Sequence, residues 1–342
     1  MSEQKPGFRG GDPQDRDALT GVATGRELRH RPRHRGGRGG ERPMVPQADF
    51  ASYYGRPVLK RPVWNASDIA GYLFLGGLAG ASSALGAGAD LTGRPTLARG
   101  AKAGAAGAFG LAVVALVHDL GRPARFLNML RVAKLSSPMS VGSWLLAGYG
   151  PLAVGAAASS LTGWFPRLGR LATLGAAAGG PLVAGYTAAL ISDTAVPAWH
   201  EGYRELPFVF VGSAATAAGG LGLIVAPTHE SGPARGFAAA GAAAELAAVR
   251  LMKRRLGIVA EPYETGRSGR LLRAAEIVSV AGICCAVAGR RSRTLSALSG
   301  AALLAGSAAG RFGIFEAGVA SAADPKYTVV PQRDRLWHPS SS

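Results

Sequence analysis

The sequence has little of what a soluble enzyme or a metalloprotein needs. Charged residues make up only 17% of the chain, against about 25% in ordinary soluble domains. Its two cysteines, Cys284 and Cys285, are adjacent in an apolar segment and cannot form a disulfide framework, an iron–sulfur cluster or a structural zinc site. Of six histidines, only His118 lies near the interior of an apolar segment, whereas a transmembrane haem usually takes paired histidines. We therefore expect no metal site, haem or iron–sulfur cluster in this chain.

What the sequence does contain is a series of long apolar segments. The chain is 48% apolar, although its first sixty residues are almost wholly polar. From Asp68 onward, apolar stretches of about 20 residues recur, the length that crosses a hydrocarbon core of about 30 Å. The pattern predicts an all-α integral membrane protein, a bundle of about eight Gly/Ala-rich transmembrane helices. The predicted spans are Asp68–Ala87, Gly100–Val117, Val141–Leu161, Leu171–Ile191, Phe208–Ala226, Ala234–Leu251, Leu271–Ala288 and Leu295–Ile314.

Three regions follow from this pattern. Residues 1–62 carry interleaved arginine, glycine and proline without an apolar period, so we predict a disordered basic tail. Residues 63–316 form the predicted transmembrane bundle, and residues 317–342 a C-terminal tail. The 50 glycines let helix backbones approach closely, which is how helices associate in lipid.

The basic excess indicates a membrane rather than a nucleic acid. The net charge is +17, but the basic residues lie in the tail and in short connectors, with no basic face of a folded domain. Anionic lipid and the positive-inside rule explain this distribution more simply. Connectors on the side of the N terminus are richer in lysine and arginine, which places both termini in the cytoplasm of a plasma-membrane protein.

Two polar clusters at the ends of apolar segments are candidates for chemistry. His118 and Asp119 end the second predicted span and precede Gly-Arg-Pro, a pattern that can pair charges and pass protons or can simply cap a helix. Tyr186 lies inside the fourth span, before Trp199 and His200 in the next connector. A tyrosine hydroxyl near Asp119 could bond a carbonyl of a lipid-soluble ligand, whereas an interfacial aromatic belt explains Trp199 better than Tyr186.

These elements resemble the NrfD/polysulfide reductase membrane-subunit family. The resemblance rests on residues 118–126, the Ser-Pro-Met-Ser-x-Gly-Ser-Trp stretch 137–144, and the Gly-Tyr-Thr, Pro-x-Trp and Leu-Pro elements, within about residues 64–315. The family's usual glycine after Tyr-Thr is Ala188 here. The resemblance implies a membrane anchor without a redox centre or catalytic residue of its own. Such an anchor reacts with menaquinone or another quinone and binds a four-cluster iron–sulfur subunit and a molybdopterin subunit.

The resemblance also implies roles for particular residues. Tyr186 matches the tyrosine that contacts the quinone head, and His118 or Asp119 the polar end of the second span. In the first span Asn65 and Asp68, beside Trp64, are the local candidates. Arg122, Arg125, Trp199 and His200 lie in the loops where the iron–sulfur partner would dock. Family complexes of this kind are thought of as facing outward, which conflicts with the cytoplasmic side indicated by the charge pattern.

Acids inside the apolar segments leave a second class of function open. Glu245 and Glu276 are candidates, with Asp119, for proton transfer, because a carboxylate at membrane depth is costly unless it is functional or paired. A small-solute or ion transporter using both glutamates is therefore the alternative, although no internal repeat of the kind common in transporters is evident. A structural anchor that has lost quinone chemistry is a third possibility.

Overall fold

The computed structural model describes residues 58–60, 62, 64–120, 128–131 and 133–337. Nearly all of the predicted basic tail lies outside this part of the chain, as do Arg122 and Arg125. The described residues form helices, turns and irregular segments, with no β-strand among them. The all-α class predicted from the sequence is confirmed.

Most of the helices follow one another with short connections, and the longest connection, residues 120–137, separates α2 from α3. Seven of them, α1, α2, α3, α4, α6, α8 and α9, are long and apolar enough to cross a membrane, so the chain is a multi-pass membrane protein. A 3₁₀ segment, Gly257–Tyr263, links α7 to α8. The bounds are α1 Ala66–Leu91, α2 Pro95–Asp119, α3 Pro138–Thr162, α4 Pro166–Ser192, α5 Pro197–Glu201, α6 Leu206–Val225, α7 Gly232–Leu256, α8 Gly266–Ala288, α9 Arg293–Ala323 and α10 Lys326–Trp337.

Local sequence signals set where the helices begin and end. The side chain of Asn65 caps α1 by accepting a hydrogen bond from the backbone N–H of Ser67 (3.1 Å). A proline opens α2, α3, α4 and α5, where its missing N–H costs nothing. Gly163 closes α3 in the left-handed conformation (φ 76°), which glycine adopts without strain.

Small residues set the distances between the helices. Helix α1 packs on α2, α4 and α6, while α3 packs on α4, α6 on α7, and α8 on α9. At the crossing of α1 and α4, a Cβ on Gly80 or on Gly180 would lie 2.2 Å from the other residue's carbonyl oxygen. Only glycine permits so close a backbone contact. Helix α1 has neighbouring helices on several sides and is the most deeply buried of the seven spans.

The two ends of the described bundle can be told apart by contacts between distant residues. Trp64, just before α1, stacks on Trp199 with ring centres 5.8 Å apart. The backbone N–H next to Trp199, that of Ala198, donates to the hydroxyl of Ser321 near the end of α9 (3.2 Å). The start of α1 and the end of α9 therefore lie at the same end of the bundle, which we call the Asn65 end; the opposite end, with the α1–α2 turn, is the Thr92 end.

This arrangement bears on the sixth predicted span. Helix α7 covers the predicted Ala234–Leu251 segment, but it carries Arg235, Glu245 and a basic last turn and is not among the seven strongly apolar helices. Because α1 begins and α9 finishes at one end, the chain between them crosses an even number of times, which requires α7 to cross with the other seven. Helix α9 also runs past the predicted boundary at 316, because Ala317, Gly318 and Ala322 remain buried.

Candidate functional site

The central feature of the Asn65 end is a hydrogen-bonded chain of three polar residues from α1 and α2. The amide of Asn65 donates to Asp68 (3.0 Å), and Nδ1 of His118 lies 2.9 Å from the same carboxylate oxygen, Oδ2. Asp68 is mostly covered, with 17% of its side chain exposed, whereas 73% of the His118 side chain is exposed. Three of the predicted quinone-binding residues are thus brought together, although His118 follows Asp68 by 50 positions in sequence.

Tyr186 lies on α4 against the start of α3. Its hydroxyl donates to the carbonyl of Pro138 (2.6 Å). A Cβ on Gly142 would come within 2.0 Å of the tyrosine's Cζ and Oη, so the absence of a side chain at Gly142 makes room for the ring. Tyr186 also interacts electrostatically with Tyr72, which is buried one turn beyond Asp68 on α1. Four helices therefore contribute to this end of the bundle.

The other residues predicted near this site differ in their accessibility. Asp119 is half-buried next to His118 and makes no hydrogen bond or ion pair with any described residue. His200 is exposed, with Nδ1 3.2 Å from the carbonyl of Ser192. Trp199 is fully buried and donates from Nε1 to the carbonyl of Ile314 (2.9 Å), so it packs inside the bundle. Of the two residues of this connector that were predicted to contact a partner subunit, His200 is the one at the surface. Arg122 and Arg125 lie outside the described residues.

An aromatic cavity opens at the same end. It has a volume of about 400 Å³ and is lined mainly by apolar side chains, within the size range of small-molecule sites. The stacked rings of Trp64 and Trp199 form one wall, with an interplanar angle of 14°. Trp64 directly precedes Asn65, so the aromatic cavity and the polar chain start from the same turn of backbone.

A second polar cluster lies inside the bundle, between α6, α7 and α9. Arg311 is 1% exposed and its Nη2 donates to the carbonyl of Phe210 (2.5 Å), while its Cζ lies 3.7 Å from the centre of the Phe210 ring. Its Nε and Nη1 have no hydrogen-bond partner among the described residues. Glu245 interacts with Arg311 electrostatically and bonds the hydroxyl of Ser213. Glu245 itself is half-buried, and its opposite charge attracts the buried guanidinium of Arg311.

Glu276 stands apart from this cluster. Its side chain is 49% exposed and lies 3.6 Å from Nη2 of Arg250. Glu245 and Glu276 line one narrow cleft between α7 and α8, together with Lys253 and Arg273. Glu276 is therefore paired with a basic side chain, which is one of the two ways in which a carboxylate at membrane depth is stabilised.

Two polar residues of these clusters were not predicted from the sequence. Tyr72 follows Asp68 by four positions, so it falls on the same face of α1, and this spacing could have identified it. Arg311 is the one charged residue within the predicted span Leu295–Ile314, and a charge isolated in this way marks a functional or paired site in a membrane helix.

The fold and this site define a multi-pass membrane protein with polar chemistry at one end of a helical bundle. The described residues contain no group of three or more histidine, cysteine or acidic side chains that could hold a metal ion.

The chain belongs to the NrfD family: the family described as "Polysulphide reductase, NrfD" matches residues 58–252. The match includes every predicted site residue except Glu276 and ends within α7. No curated protein matches this sequence. Family membership identifies the chain as a membrane subunit of an oxidoreductase complex.

Proposed function

We propose that this protein is the quinone-reactive membrane anchor of a multi-subunit oxidoreductase. It passes electrons between menaquinone, or another membrane quinone, and an iron–sulfur subunit whose partner is a molybdopterin catalytic subunit. The observation that carries the proposal is the pairing of Asp68 with His118 at the Asn65 end, where Tyr186 also lies, bonded to the start of α3. The NrfD membership supports the same assignment.

The hydrogen bond between Asp68 and His118 gives the histidine a defined role. An ionised carboxylate can only accept hydrogen bonds, so Nδ1 of His118 is the donor and Nε2 of the neutral ring is an acceptor. Because most of the imidazole is exposed, Nε2 can take one of the two hydroxyl protons that the quinol loses as its two electrons leave, and it can take the second after releasing the first to solvent. Asp68 then stabilises the imidazolium ion, and in the opposite direction the same nitrogen returns the proton.

Tyr186 and the aromatic cavity fit the rest of a quinone head. The hydroxyl of Tyr186 already donates to Pro138, so its oxygen is left to accept a hydrogen bond from a quinol hydroxyl. Trp64, which lines the aromatic cavity, offers a flat apolar surface that suits a planar ring, and the fully buried Trp199 is stacked on it. Asn65 holds Asp68 in place, and Asp119 lies next to His118, where it can pass the proton onward.

The partner subunit would dock at the Asn65 end, since electrons must leave the site over a short distance. His200 is exposed there, and Arg122 and Arg125 follow α2 in sequence. The excess of lysine and arginine in the connectors at this end supports a cytoplasmic location for the site and for both termini, in the plasma membrane.

The proposal is tested with the intact complex, purified from native membranes in mild detergent. We expect an iron–sulfur protein, a molybdopterin subunit and quinone to co-purify. Asp68→Asn and His118→Gln should each lower quinol-linked turnover about 10²-fold or more, the usual contribution of a general base, while subunit composition is unchanged. Asp193→Asn, an exposed acid at the same end, is the control. Unchanged turnover in both site variants, or recovery of the chain alone and free of quinone, would contradict the proposal.

A second candidate is a small-solute or ion transporter that uses Glu245 and Glu276. It is favoured by one observation, the cleft that both acids line beside the buried Arg311. The same cleft could instead supply a proton path to the quinone site. Glu245→Gln separates the candidates: transport requires the acid in the isolated chain, whereas a proton path affects only quinone-linked turnover of the complex.

A further inference from the structure

The Thr92 end of the bundle, opposite the quinone site, holds a large cavity between α1, α2, α3 and α4. Its volume is about 790 Å³. Three basic side chains line it, namely Arg99 and Lys102 of α2 and Arg170 of α4, against one acid, Asp90. The hydroxyls of Ser159, Ser160 and Thr173 complete the polar lining. The cavity therefore combines a net positive charge with hydrogen-bond donors.

The three basic side chains of this cavity are not equally free to bind an anion. Lys102 is buried and forms an ion pair with Asp90, so these two charges offset each other. Arg99 and Arg170 are exposed, and no carboxylate of the described residues lies within ion-pair distance of either guanidinium. Glu230, near the start of α2, is buried and accepts from the backbone N–H of Leu97 (2.9 Å), which keeps it off the cavity. Two guanidinium groups thus face the cavity without an anion.

Apolar surface directly adjoins the charged cavity. Leu174 lines it and is 55% exposed, and Leu171, one position beyond Arg170, is 65% exposed. Trp164 and Phe165, at the start of α4, are more than 70% exposed, as expected of aromatic residues at the boundary between headgroups and acyl chains. A ligand with both a phosphate and long alkyl chains satisfies both surfaces, whereas free phosphate satisfies only the first.

We propose that this cavity binds the headgroup phosphate of an anionic phospholipid, with Arg99 and Arg170 as its ligands. Guanidinium groups bind phosphate through paired N–H donors, which makes arginine the preferred residue for such sites. The acyl chains would lie along the exposed leucines of α4. Since the lipid touches α2 and α4, it would hold together two helices of the quinone site from the opposite end, without taking part in the redox chemistry.

The test measures lipid bound to the full-length chain purified in mild detergent, by native mass spectrometry and by thermal unfolding with added lipid. Phosphatidylglycerol and cardiolipin should bind and stabilise the protein, whereas phosphatidylcholine should not. Each juxtamembrane arginine contributes about fivefold to anionic lipid affinity, so Arg99→Gln/Arg170→Gln should weaken binding roughly 25-fold. The matched control is Arg167→Gln, an exposed arginine of the same helix turn that does not line the cavity.

Two further measurements distinguish a lipid phosphate from free phosphate and test the contribution of positive charge. Arg99→Lys/Arg170→Lys keeps the charge but loses the paired N–H donors, so it should bind the lipid less tightly than the wild type and more tightly than the Gln variant. Inorganic phosphate alone should not stabilise the protein. Equal binding by the Gln variant and the Arg167→Gln control, equal retention of phosphatidylcholine, or stabilisation by inorganic phosphate alone would each overturn the proposal.

Discussion

At the scale of single residues, Gly142 controls where Tyr186 can lie. A methyl group at this position would overlap the tyrosine ring and its hydroxyl, and the ring would have to swing away from Pro138. We expect Gly142→Ala to raise the KM for quinol while costing about 1–3 kcal/mol of stability, the usual penalty for overpacking. Gly148→Ala on the same helix, where nothing lies within 4 Å, is the control. Equal quinol KM values for the two variants would show that the position of Tyr186 is unimportant.

A second residue-scale prediction concerns Glu205 and Arg255, which join the start of α6 to the end of α7. Arg255 donates from Nε and Nη2 to the two carboxylate oxygens of Glu205 (2.7 and 2.6 Å), and this contact lowers the pKa of Glu205 below its ordinary value of 4.5. A lowered acid pKa means that the folded form is favoured while the acid is ionised. The stabilisation is therefore complete above the ordinary value and is lost as pH falls through the lower, folded-state pKa.

The measurement compares thermal unfolding of the wild type and Arg255→Gln at neutral and at acid pH. We expect the variant to melt lower at neutral pH and the difference to shrink as the pH falls below the ordinary pKa of Glu205. The neighbouring substitution Arg254→Gln removes the same charge without this contact, so it should show little difference at any pH. A gap that stays constant with pH would mean that the pair contributes through packing alone.

Residue identity was easier to predict than residue partnership. His118 and Tyr186 could be proposed because they lie in elements that match the family pattern, and Asn65 and Asp68 because they are the local polar residues at the start of the first apolar segment. The bond between Asp68 and His118 could not be predicted, because it depends on how α1 and α2 are aligned across 50 residues of chain. The electrostatic partner of Glu245 was missed for the same reason: Arg311 lies 66 positions away, and the two come together only because α7 and α9 both pack on α6.

At the scale of helices, the contact between α1 and α4 at Gly80 and Gly180 leads to a third prediction. The atoms in the way of a Cβ are backbone atoms, which cannot turn aside as a side chain does. We expect Gly80→Ala to force the helices apart and to cost more than about 3 kcal/mol, seen as loss of monodisperse protein after mild heating in detergent. Gly88→Ala, at an open position on the same helix, should leave stability unchanged or slightly improved. Similar behaviour of both variants would refute this account of the crossing.

The helices themselves could be placed from apolar length alone, but their ends could not. Predicted α1 began at Asp68, whereas the helix starts two residues earlier, where the side chain of Asn65 caps it. The last span extends to Ala323 rather than 314, because small residues continue the buried face although Glu316 interrupts the apolar run. Apolar periodicity locates the middle of a membrane helix, while caps and local packing set its ends.

At the scale of the whole molecule, the number of crossings and the orientation can be tested together. The contacts of Trp64 with Trp199 and of Ala198 with Ser321 require an even number of crossings, whichever way the bundle faces. Orientation is a separate matter that rests on the lysine and arginine excess at the Asn65 end. Both can be read from cysteines placed at exposed positions after Cys284 and Cys285 are replaced by serine.

Three single-cysteine variants are sufficient: Asp193→Cys at the Asn65 end, Thr92→Cys at the opposite end, and Gln332→Cys in α10, all at exposed positions. In intact cells a membrane-impermeant maleimide should label Thr92→Cys alone, and lysis should expose the other two, because the basic end remains in the cytoplasm. If Asp193→Cys and Gln332→Cys are labelled and Thr92→Cys is not, the orientation is reversed while the even number of crossings holds. If Gln332→Cys behaves like Thr92→Cys instead, one predicted crossing does not exist, and α7, with its half-buried Glu245 and basic last turn, is the first helix to reconsider.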